Sequence, residues 1–475
     1  MLEQTNVNLD DPQFSNLLAN LQGHILKHHG RTHAYHIFIK FNPKQALMAR
    51  QWINNFANNE ITSAEKQLRD AVERKLDEEF DGGIFLNFSL SHSGYVNLGI
   101  ANASIPSSDS SFTNGLKASK DQLSDDLEIW ETPFLDTIDA LIIVADDNVS
   151  TASDDKDRIL NEISEFSTVV HVQKGKILRN QHGTGIEHFG YADGISQPNF
   201  LANNDTPAVQ WEDNGALLST LLVPDPATAV ADSFGSFYVF RKLEQNVKGF
   251  KEAEKKMSQG FNKESDEVFG IFDKNGIRNE ELAGAMIVGR FEDGSDVVNN
   301  SMEKDIVEPS QLFNDFDYQD DTVGLKCPFH AHIRITNPRA DIDLDFAKSV
   351  RLTRRGIPYN DIGRDEFDLE NDKPTKGVGL LFQCYQSSIQ RQFEFIQSAW
   401  ANAGDVRKDV TVERLVGQDA IIGQGADPKP EPKVLPNQWG IGANIQDMPV
   451  DFGHFVTTKG GEYFFTPSLP FLRTI

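Results

Sequence analysis

The pattern of hydrophobic and polar positions predicts both strands and helices in the first 200 residues. Alternating or continuously apolar runs predict strands at 33–41, 83–90, 139–145 and 168–178. Apolar residues at helical offsets, among them Ala49, Trp52 and Phe56, predict helices within 43–72 and 154–166. Strands separated by long helices are typical of an α+β layer with mainly antiparallel strands.

A second pattern of the same kind follows a proline-containing stretch, 203–232, that lacks a clear period. We therefore place a domain boundary near residue 225, with one domain over 1–225 and another over 226–475. The strands predicted in the second half are 235–241, 330–336 and 378–385, and the helices are 246–261, 279–288 and 388–401. The order strand, helix, strand, strand, helix recurs loosely in each half, which indicates a structural duplication without a repeat at the residue level.

Composition and charge narrow the class of protein. Apolar residues make up 39% of the chain, with 33 Phe, so the chain can build a buried core. A formal charge of -26 argues against nucleic acid or an anionic membrane as a partner, because either polyanion would be repelled. No apolar run approaches the roughly 18 residues needed to cross a bilayer. No signal peptide is visible either, so we expect a soluble cytoplasmic protein.

The densest group of candidate functional residues is the loop 187–198, Glu-His-Phe-Gly-Tyr-Ala-Asp-Gly-Ile-Ser-Gln-Pro. Gly190 and Gly194 bracket Asp193, and glycines allow positive φ and a close approach of the backbone to another surface. A carboxylate held between them is placed for contact with a ligand. A plain turn closed by the aspartate side chain is the alternative interpretation.

A second group lies in 327–339. On the predicted strand, His330, His332 and Arg334 share one face. An imidazole beside a cation suits an iron or zinc ligand next to an anionic group, whereas two ordinary buried histidines are the alternative. The two cysteines form no CxxC pair, which excludes a thiolate zinc site.

A third group, 350–359, contains Arg354 and Arg355, which are permanent hydrogen-bond donors to an oxyanion or carboxylate. A basic pair on the surface, without a site, is the alternative interpretation. Glu394 lies with Gln390 and Gln397 on one face of the helix predicted over 388–401. Most such polar stripes are solvated, so this face alone predicts no site.

Taken in order, these motifs resemble those of the dye-decolorizing peroxidases, a family of haem enzymes. The matching segments run through nearly the whole chain: 21–26, 190–194, 288–290, 327–334, 354–359, 379–383, 391–397 and 460–465. The resemblance implies two ferredoxin-like α+β domains with antiparallel sheets. It also implies one haem b (iron protoporphyrin IX), held mainly in the C-terminal domain.

The resemblance also implies a role for individual residues. His332 matches the proximal iron ligand, although the nearby His330 leaves that choice open. Asp193 matches the distal acid and Arg354 the distal arginine, with Arg355 as the runner-up. The other residues implied near the cofactor are Gly190 and Gly194 in the loop, Arg334 and Arg339 at the haem propionates, and Phe382 in the wall of the distal pocket. We further expect Glu394 to accept a hydrogen bond from the His332 ring, because a ligating histidine usually donates its second N–H to a carboxylate or carbonyl.

The activity implied is the oxidation of dyes and of phenolic or other aromatic donors by hydrogen peroxide through a ferryl haem. Asp193 would move the peroxide proton, and Arg354 would stabilise the charge that develops as the O–O bond breaks. Bulky donors would need a surface relay, for which Trp52, Trp130, Trp211, Trp400 and Trp439 are candidates. The alternatives are a haem-binding protein for haem or iron handling with little turnover, and a zinc hydrolase that uses the two histidines.

Overall fold

The structure of the protein is a computed structural model. It describes residues 1–77, 79–202, 216–261, 280–304, 314–363, 373–403, 417–425, 433–440, 446–450 and 452–475. The strands of the N-terminal half are β1 (His33–Phe41), β2 (Phe85–Leu90), β3 (Ala140–Asp146), β4 (Ser167–Lys176), β5 (Leu178–Arg179) and β6 (Gly185–Ile186). Those of the C-terminal half are β7 (Val223–Pro224), β8 (Phe234–Gln245), β9 (Thr353–Arg354), β10 (Ile357–Asn360), β11 (Val378–Gln386), β12 (Lys433–Pro436), β13 (Asp447–Val450) and β14 (Val456–Thr466).

The helices connect these strands. The α-helices are Ser15–Asn20, Ala46–Asn59, Ala64–Leu76, His92–Asn97, Ser110–Asn114, Lys120–Leu123, Thr132–Leu135, Val149–Ile163, Val247–Ser258, Glu280–Val288, His332–Thr336, Leu344–Ser349 and Leu469–Leu472. Two segments with the wider π-type turn, Ile389–Glu394 and Ile396–Asn402, follow one another. Short 3₁₀ turns occupy Pro12–Phe14, Pro43–Gln45, Asn102–Ser104, Leu116–Ser119, Leu127–Ile129, Leu218–Thr220, Gln319–Asp321 and Arg339–Asp341. No helix in the described ranges is long and apolar enough to span a membrane.

The strand order repeats between the two halves of the main sheet. The sheet runs β10–β11–β8–β14–β2–β3–β1–β4, and the pairings along it are antiparallel. Within each half the four strands lie in the order second, third, first, fourth, with helices after the first and the third strand. This is the βαββαβ arrangement of ferredoxin-like folds, so the predicted α+β class and the duplication are confirmed.

The two halves share one interior. β14 meets β2 where Phe465 pairs with Leu90, and at the other end β10 lies against β4, where Gln173 Nε2 donates to Asp361 Oδ1 at 2.9 Å. The enclosed space is filled by apolar side chains from both halves, including Phe38 and Phe240, whose ring centroids are 4.8 Å apart. The predicted boundary near residue 225 falls between β7 and β8 and stays a prediction. Trp211, one of the relay candidates, lies outside the described residues.

One predicted element is wrong. The residues 330–336 alternate polar and β-branched side chains as a strand does, but His332–Thr336 is a short helix. Its backbone closes Ile335 N–H onto the Ala331 carbonyl at 2.9 Å and Asn337 N–H onto the Ile333 carbonyl at 2.9 Å. These are the i→i−4 hydrogen bonds of a helix, which form here despite the β propensity of the alternating residues. The helix replaces the shared strand face that was expected for His330, His332 and Arg334.

Candidate active site

A cavity in the C-terminal half brings together several of the predicted site residues. It lies between the loop 187–198, the strands β8 and β11, and the helix His332–Thr336. The volume of the cavity that is accessible to the centre of a water molecule is about 230 Å³. Its walls are largely apolar, with Leu380 and Phe382 contributed by alternate positions of β11 and Phe393 by the following helix.

One side of the cavity carries an ion pair between Asp193 and Arg354. Arg354 Nη1 donates to Asp193 Oδ1 at 2.9 Å, and both side chains are 32% exposed. Arg354 also donates from Nη2 to the Ser196 carbonyl at 3.0 Å, and its backbone N–H donates to Gln197 Oε1 at 3.0 Å. Three hydrogen bonds therefore hold the arginine of β9 against the loop that carries the aspartate.

The backbone of this loop requires its glycines. Gly190 has φ 103° and Gly194 has φ 82°, in the region that side chains with a Cβ rarely adopt. A Cβ at Gly190 would lie 3.0 Å from the Glu292 carboxylate, whereas Gly194 lies in the cavity wall, where its N–H donates to Asp193 Oδ1 at 2.6 Å. The two positions turn the chain so that Asp193 points into the cavity.

Another part of the cavity wall carries His332. Its Nδ1 lies 2.9 Å from Asp419 Oδ2, which leaves Nε2 as the ring nitrogen available to a ligand. His330, two residues earlier, is buried and is not among the residues that line this cavity. The geometry therefore favours His332 over His330 as the candidate ligand.

Asp419 is a fully buried carboxylate that sequence reasoning missed. Burial by itself would raise its pKa, but His332 and the N–H groups of Ile421 and Ile422, at 2.7 and 3.0 Å from Oδ1, bring the pKa below its ordinary value. The side chain is thus an anion that fixes the orientation of the imidazole. It lies 87 positions from His332, and no motif spacing connects the two.

The expected hydrogen bond between Glu394 and His332 is wrong. Glu394 is 1% exposed, and its carboxylate accepts hydrogen bonds from Ser111 Oγ at 2.6 Å, Ser119 Oγ at 2.5 Å and Tyr463 Oη at 2.9 Å. These three hydroxyl groups bind it to the N-terminal half and to β14. Asp419 takes the place that we expected for Glu394.

Arg334 and Arg339 do not line the cavity either, contrary to the expectation that they meet haem propionates. Arg334 is 1% exposed and pairs with Asp341 at 2.6 Å and Asp321 at 3.0 Å. Arg339 donates to the carbonyls of Asn314 and Phe316 and stacks on the Phe316 ring. Both guanidinium groups hydrogen-bond to the segments that precede and follow His332.

Three other arginines line the cavity instead, Arg241, Arg290 and Arg351. Of these, Arg241 is held by a buried ion pair with Asp125, at 2.6 and 2.7 Å. Arg290 follows Gly289 in a motif that the sequence analysis noted without assigning a role, and Arg351 lies three residues before Arg354. Arg355 does not compete with Arg354, because it donates from Nε to the His24 carbonyl at 2.6 Å and from Nη2 to the Ile25 carbonyl at 2.7 Å.

Comparison with known proteins gives one consistent result. A family model described as "DyP dimeric alpha+beta barrel domain" matches residues 20–179, and one described as "Dyp-type peroxidase, C-terminal" matches residues 212–414. The chain is 37% identical to the multifunctional dye peroxidase DyP2 of Amycolatopsis sp. over 97% of its own length and 96% of that protein. It is 31% identical to a dye-decolorizing peroxidase of Mycena epipterygia, over 82% of this chain and 76% of the other.

Solved structures agree with these matches. A DyP-type peroxidase of Anabaena sp. superposes with a TM-score of 0.86 at 37% identity, over 100% of this chain and 98% of that one. A dye-decolorizing peroxidase in complex with 2,6-dimethoxyphenol superposes with a TM-score of 0.75 at 26% identity, over 96% of this chain and 98% of that one.

Proposed function

This chain belongs to the dye-decolorizing peroxidase family, and we propose that the cavity between Asp193 and His332 is its catalytic site. The protein is a haem peroxidase that uses hydrogen peroxide to oxidise dyes and aromatic donors. Family membership favours this activity over the two alternatives, haem handling and zinc hydrolysis.

The residues of the cavity fit a haem. A largely apolar planar cofactor needs apolar walls, which Leu380 and Phe382 supply. A neutral imidazole is a common ligand of haem iron, and the Nε2 of His332 is available for this. Asp419 supplies the carboxylate that commonly orients such a ligand. Both cysteines, Cys327 and Cys384, are buried, and the sequence has no C-x-x-C-H attachment motif. These features support a non-covalent haem b.

The carboxylates of the haem would meet arginines at the edge of the cavity. Arg290 and Arg351 are the candidates, because both line the cavity and guanidinium groups bind carboxylates well. When bound, the haem would supply the redox-active iron for the reaction with hydrogen peroxide.

Asp193 and Arg354 divide the work on the peroxide. The Asp193 carboxylate accepts the proton from the near oxygen of peroxide and returns it to the leaving oxygen, so that water departs. The Arg354 guanidinium donates hydrogen bonds to the oxygen on which negative charge develops. Their 2.9 Å contact in the wall of the cavity is the observation that carries this proposal.

Small phenols are the aromatic donors best supported, since 2,6-dimethoxyphenol occupies one relative. Larger dyes would pass electrons through an aromatic side chain near the surface. Trp52 and Trp439 are partly exposed, whereas Trp130 and Trp400 are 5% and 3% exposed. The first two are therefore the better candidates for such a relay.

Turnover of 2,6-dimethoxyphenol by the haem-loaded protein tests the proposal. We expect oxidation that requires both haem and hydrogen peroxide, and a fall of about 10²–10⁴-fold in kcat/KM for peroxide in Asp193→Asn with the haem still bound. Peroxide-dependent oxidation at the wild-type rate in Asp193→Asn would contradict the role of this aspartate. No oxidation by the wild-type protein would contradict the activity itself.

A further inference from the structure

A second carboxylate, Glu187, lies in the cavity wall at the start of the loop that carries Asp193. Its side chain accepts hydrogen bonds from the backbone N–H of Phe189 at 2.8 Å, from the backbone N–H of Tyr191 at 3.0 Å, and from Gln245 Nε2. The backbone closes around the same residue, since Gly190 N–H donates to the Glu187 carbonyl at 3.0 Å. The Glu187 carboxylate is therefore an anchor of the first half of the loop, beside backbone bonds such as that from Asp193 N–H to the Gly185 carbonyl at 3.0 Å.

Gln245 connects the carboxylate to the framework of the C-terminal half. It is the last residue of β8 and pairs with Val456 of β14 in the centre of the main sheet. The hydrogen bond from its amide to Glu187 thus joins the loop to the paired strands β8 and β14. Six residues farther along, the same loop presents Asp193 to Arg354.

We propose that Glu187 is a positioning residue that holds Asp193 in register with Arg354 by bracing the loop 187–198 against β8. The proposal rests on the peroxidase function proposed above and extends it to a residue that touches neither Asp193 nor Arg354 in the described contacts. Without this carboxylate, two loop N–H groups and the Gln245 amide lose their acceptor. The distal aspartate then loses its fixed distance from the arginine.

The electrostatics of Glu187 agree with such a role. Burial raises the pKa of its carboxyl to about 7, although the three N–H donors act in the opposite direction. A carboxylate in a largely apolar wall is costly for folding, so the presence of the part-buried Glu187 there suits a function in positioning rather than in stability alone.

The test compares the haem-loaded wild-type protein with Glu187→Ala and Glu187→Gln. Hydrogen–deuterium exchange by mass spectrometry, on peptides that cover 187–194, measures whether the loop is held. Steady-state kinetics give kcat/KM for peroxide and KM for 2,6-dimethoxyphenol separately. In Glu187→Ala we expect at least tenfold faster exchange in these peptides and a fall in kcat/KM for peroxide of about 10²-fold, the effect of a misplaced catalytic group. KM for the phenol should stay unchanged.

Glu187→Gln provides the rescue. It keeps one acceptor oxygen, so both the exchange rate and kcat/KM should lie between those of the wild type and Glu187→Ala. If Glu187→Ala does not fold, the same two readouts on Glu187→Gln decide the question, and wild-type values in both would overturn the proposal.

Asp225→Asn is the matched control. Asp225 is a buried carboxylate that also has a raised pKa and three hydrogen bonds, from Ala227 N–H, Ser468 N–H and Ser468 Oγ, but it does not line the cavity. We expect a loss of stability without a change in kcat/KM for peroxide. An equal fall in the control would show that Glu187 acts only through stability and would overturn the proposal. A wild-type protein without peroxide turnover would refute the proposed function itself, while faster exchange in the variants would still report the brace.

Discussion

Replacing Asp419 by asparagine removes the charge that faces the ring of His332. Asp419 Oδ1 accepts two backbone N–H groups, so the asparagine keeps its carbonyl oxygen there and turns its NH₂ group towards His332 Nδ1. A donor at Nδ1 favours the tautomer with the proton on Nε2, the nitrogen that a haem iron needs. The loss of such a partner costs about 10–100-fold in metal affinity or activity, or roughly 1.4–2.7 kcal/mol.

The measurements are a haem titration of the cofactor-free protein, followed by the Soret band, and the rate of the spectral change after mixing with peroxide. We expect Asp419→Asn to bind haem at least tenfold more weakly or to react at least tenfold more slowly. Glu394→Gln is the control, because Glu394 is equally buried but bonds to Ser111, Ser119 and Tyr463. Wild-type behaviour of Asp419→Asn, or an equal defect in Glu394→Gln, would refute the reasoning.

Three further predictions concern the distal pair, the buried acids and the surface charge. Arg354→Leu should slow the reaction with peroxide by about 10²–10³-fold in stopped-flow mixing while the Soret band is retained, and a wild-type rate would argue against its role. Burial raises the pKa of Glu254 to about 7, above its value in the unfolded chain. The protonated carboxyl therefore contributes stability that is fully present below about pH 4.5 and is lost as the pH rises through 7. From pH 4.5 to 7.5 the free energy of unfolding, measured with denaturant, should therefore fall less in Glu254→Gln than in the wild type, by up to about 3 kcal/mol. An equal fall in both proteins would contradict this. Because acidic residues number 71 against 45 basic ones, kcat/KM for a cationic dye should fall as salt is added and that for an anionic dye should rise; identical salt responses would contradict the electrostatic argument.

Much of the fold could be predicted from the sequence because its elements have clear local periods. The strands β1, β3 and β11 carry the apolar runs that predicted them, and the helices after β1 and β3 carry apolar residues at helical spacing. The strand predicted over 330–336 is wrong, because the structure has the helix His332–Thr336 there. His-Ile-Arg-Ile-Thr alternates as a strand does, but in the helix Arg334 forms buried pairs with Asp321 and Asp341. These partners lie 13 and 7 positions from Arg334, outside the five-residue pattern that predicted a strand.

The candidate site divides in the same way. Asp193, Arg354, His332, Gly194 and Phe382 stand in compact motifs, and the structure brings them to one cavity. The partner of His332 and the arginines at the cavity edge depend on contacts between distant segments. Chemistry predicted a buried carboxylate beside the histidine, but only the fold distinguishes Asp419 from Glu394.

The most direct test of the account is the absorption spectrum of the haem-titrated protein before and after one equivalent of hydrogen peroxide. It is recorded for the wild type, His332→Ala and His330→Ala. We expect a Soret band and a rapid change with peroxide in the wild type and in His330→Ala, and little or no specific haem binding in His332→Ala. Haem binding that survives in His332→Ala but is lost in His330→Ala, or a wild-type spectrum that does not respond to peroxide, would contradict it.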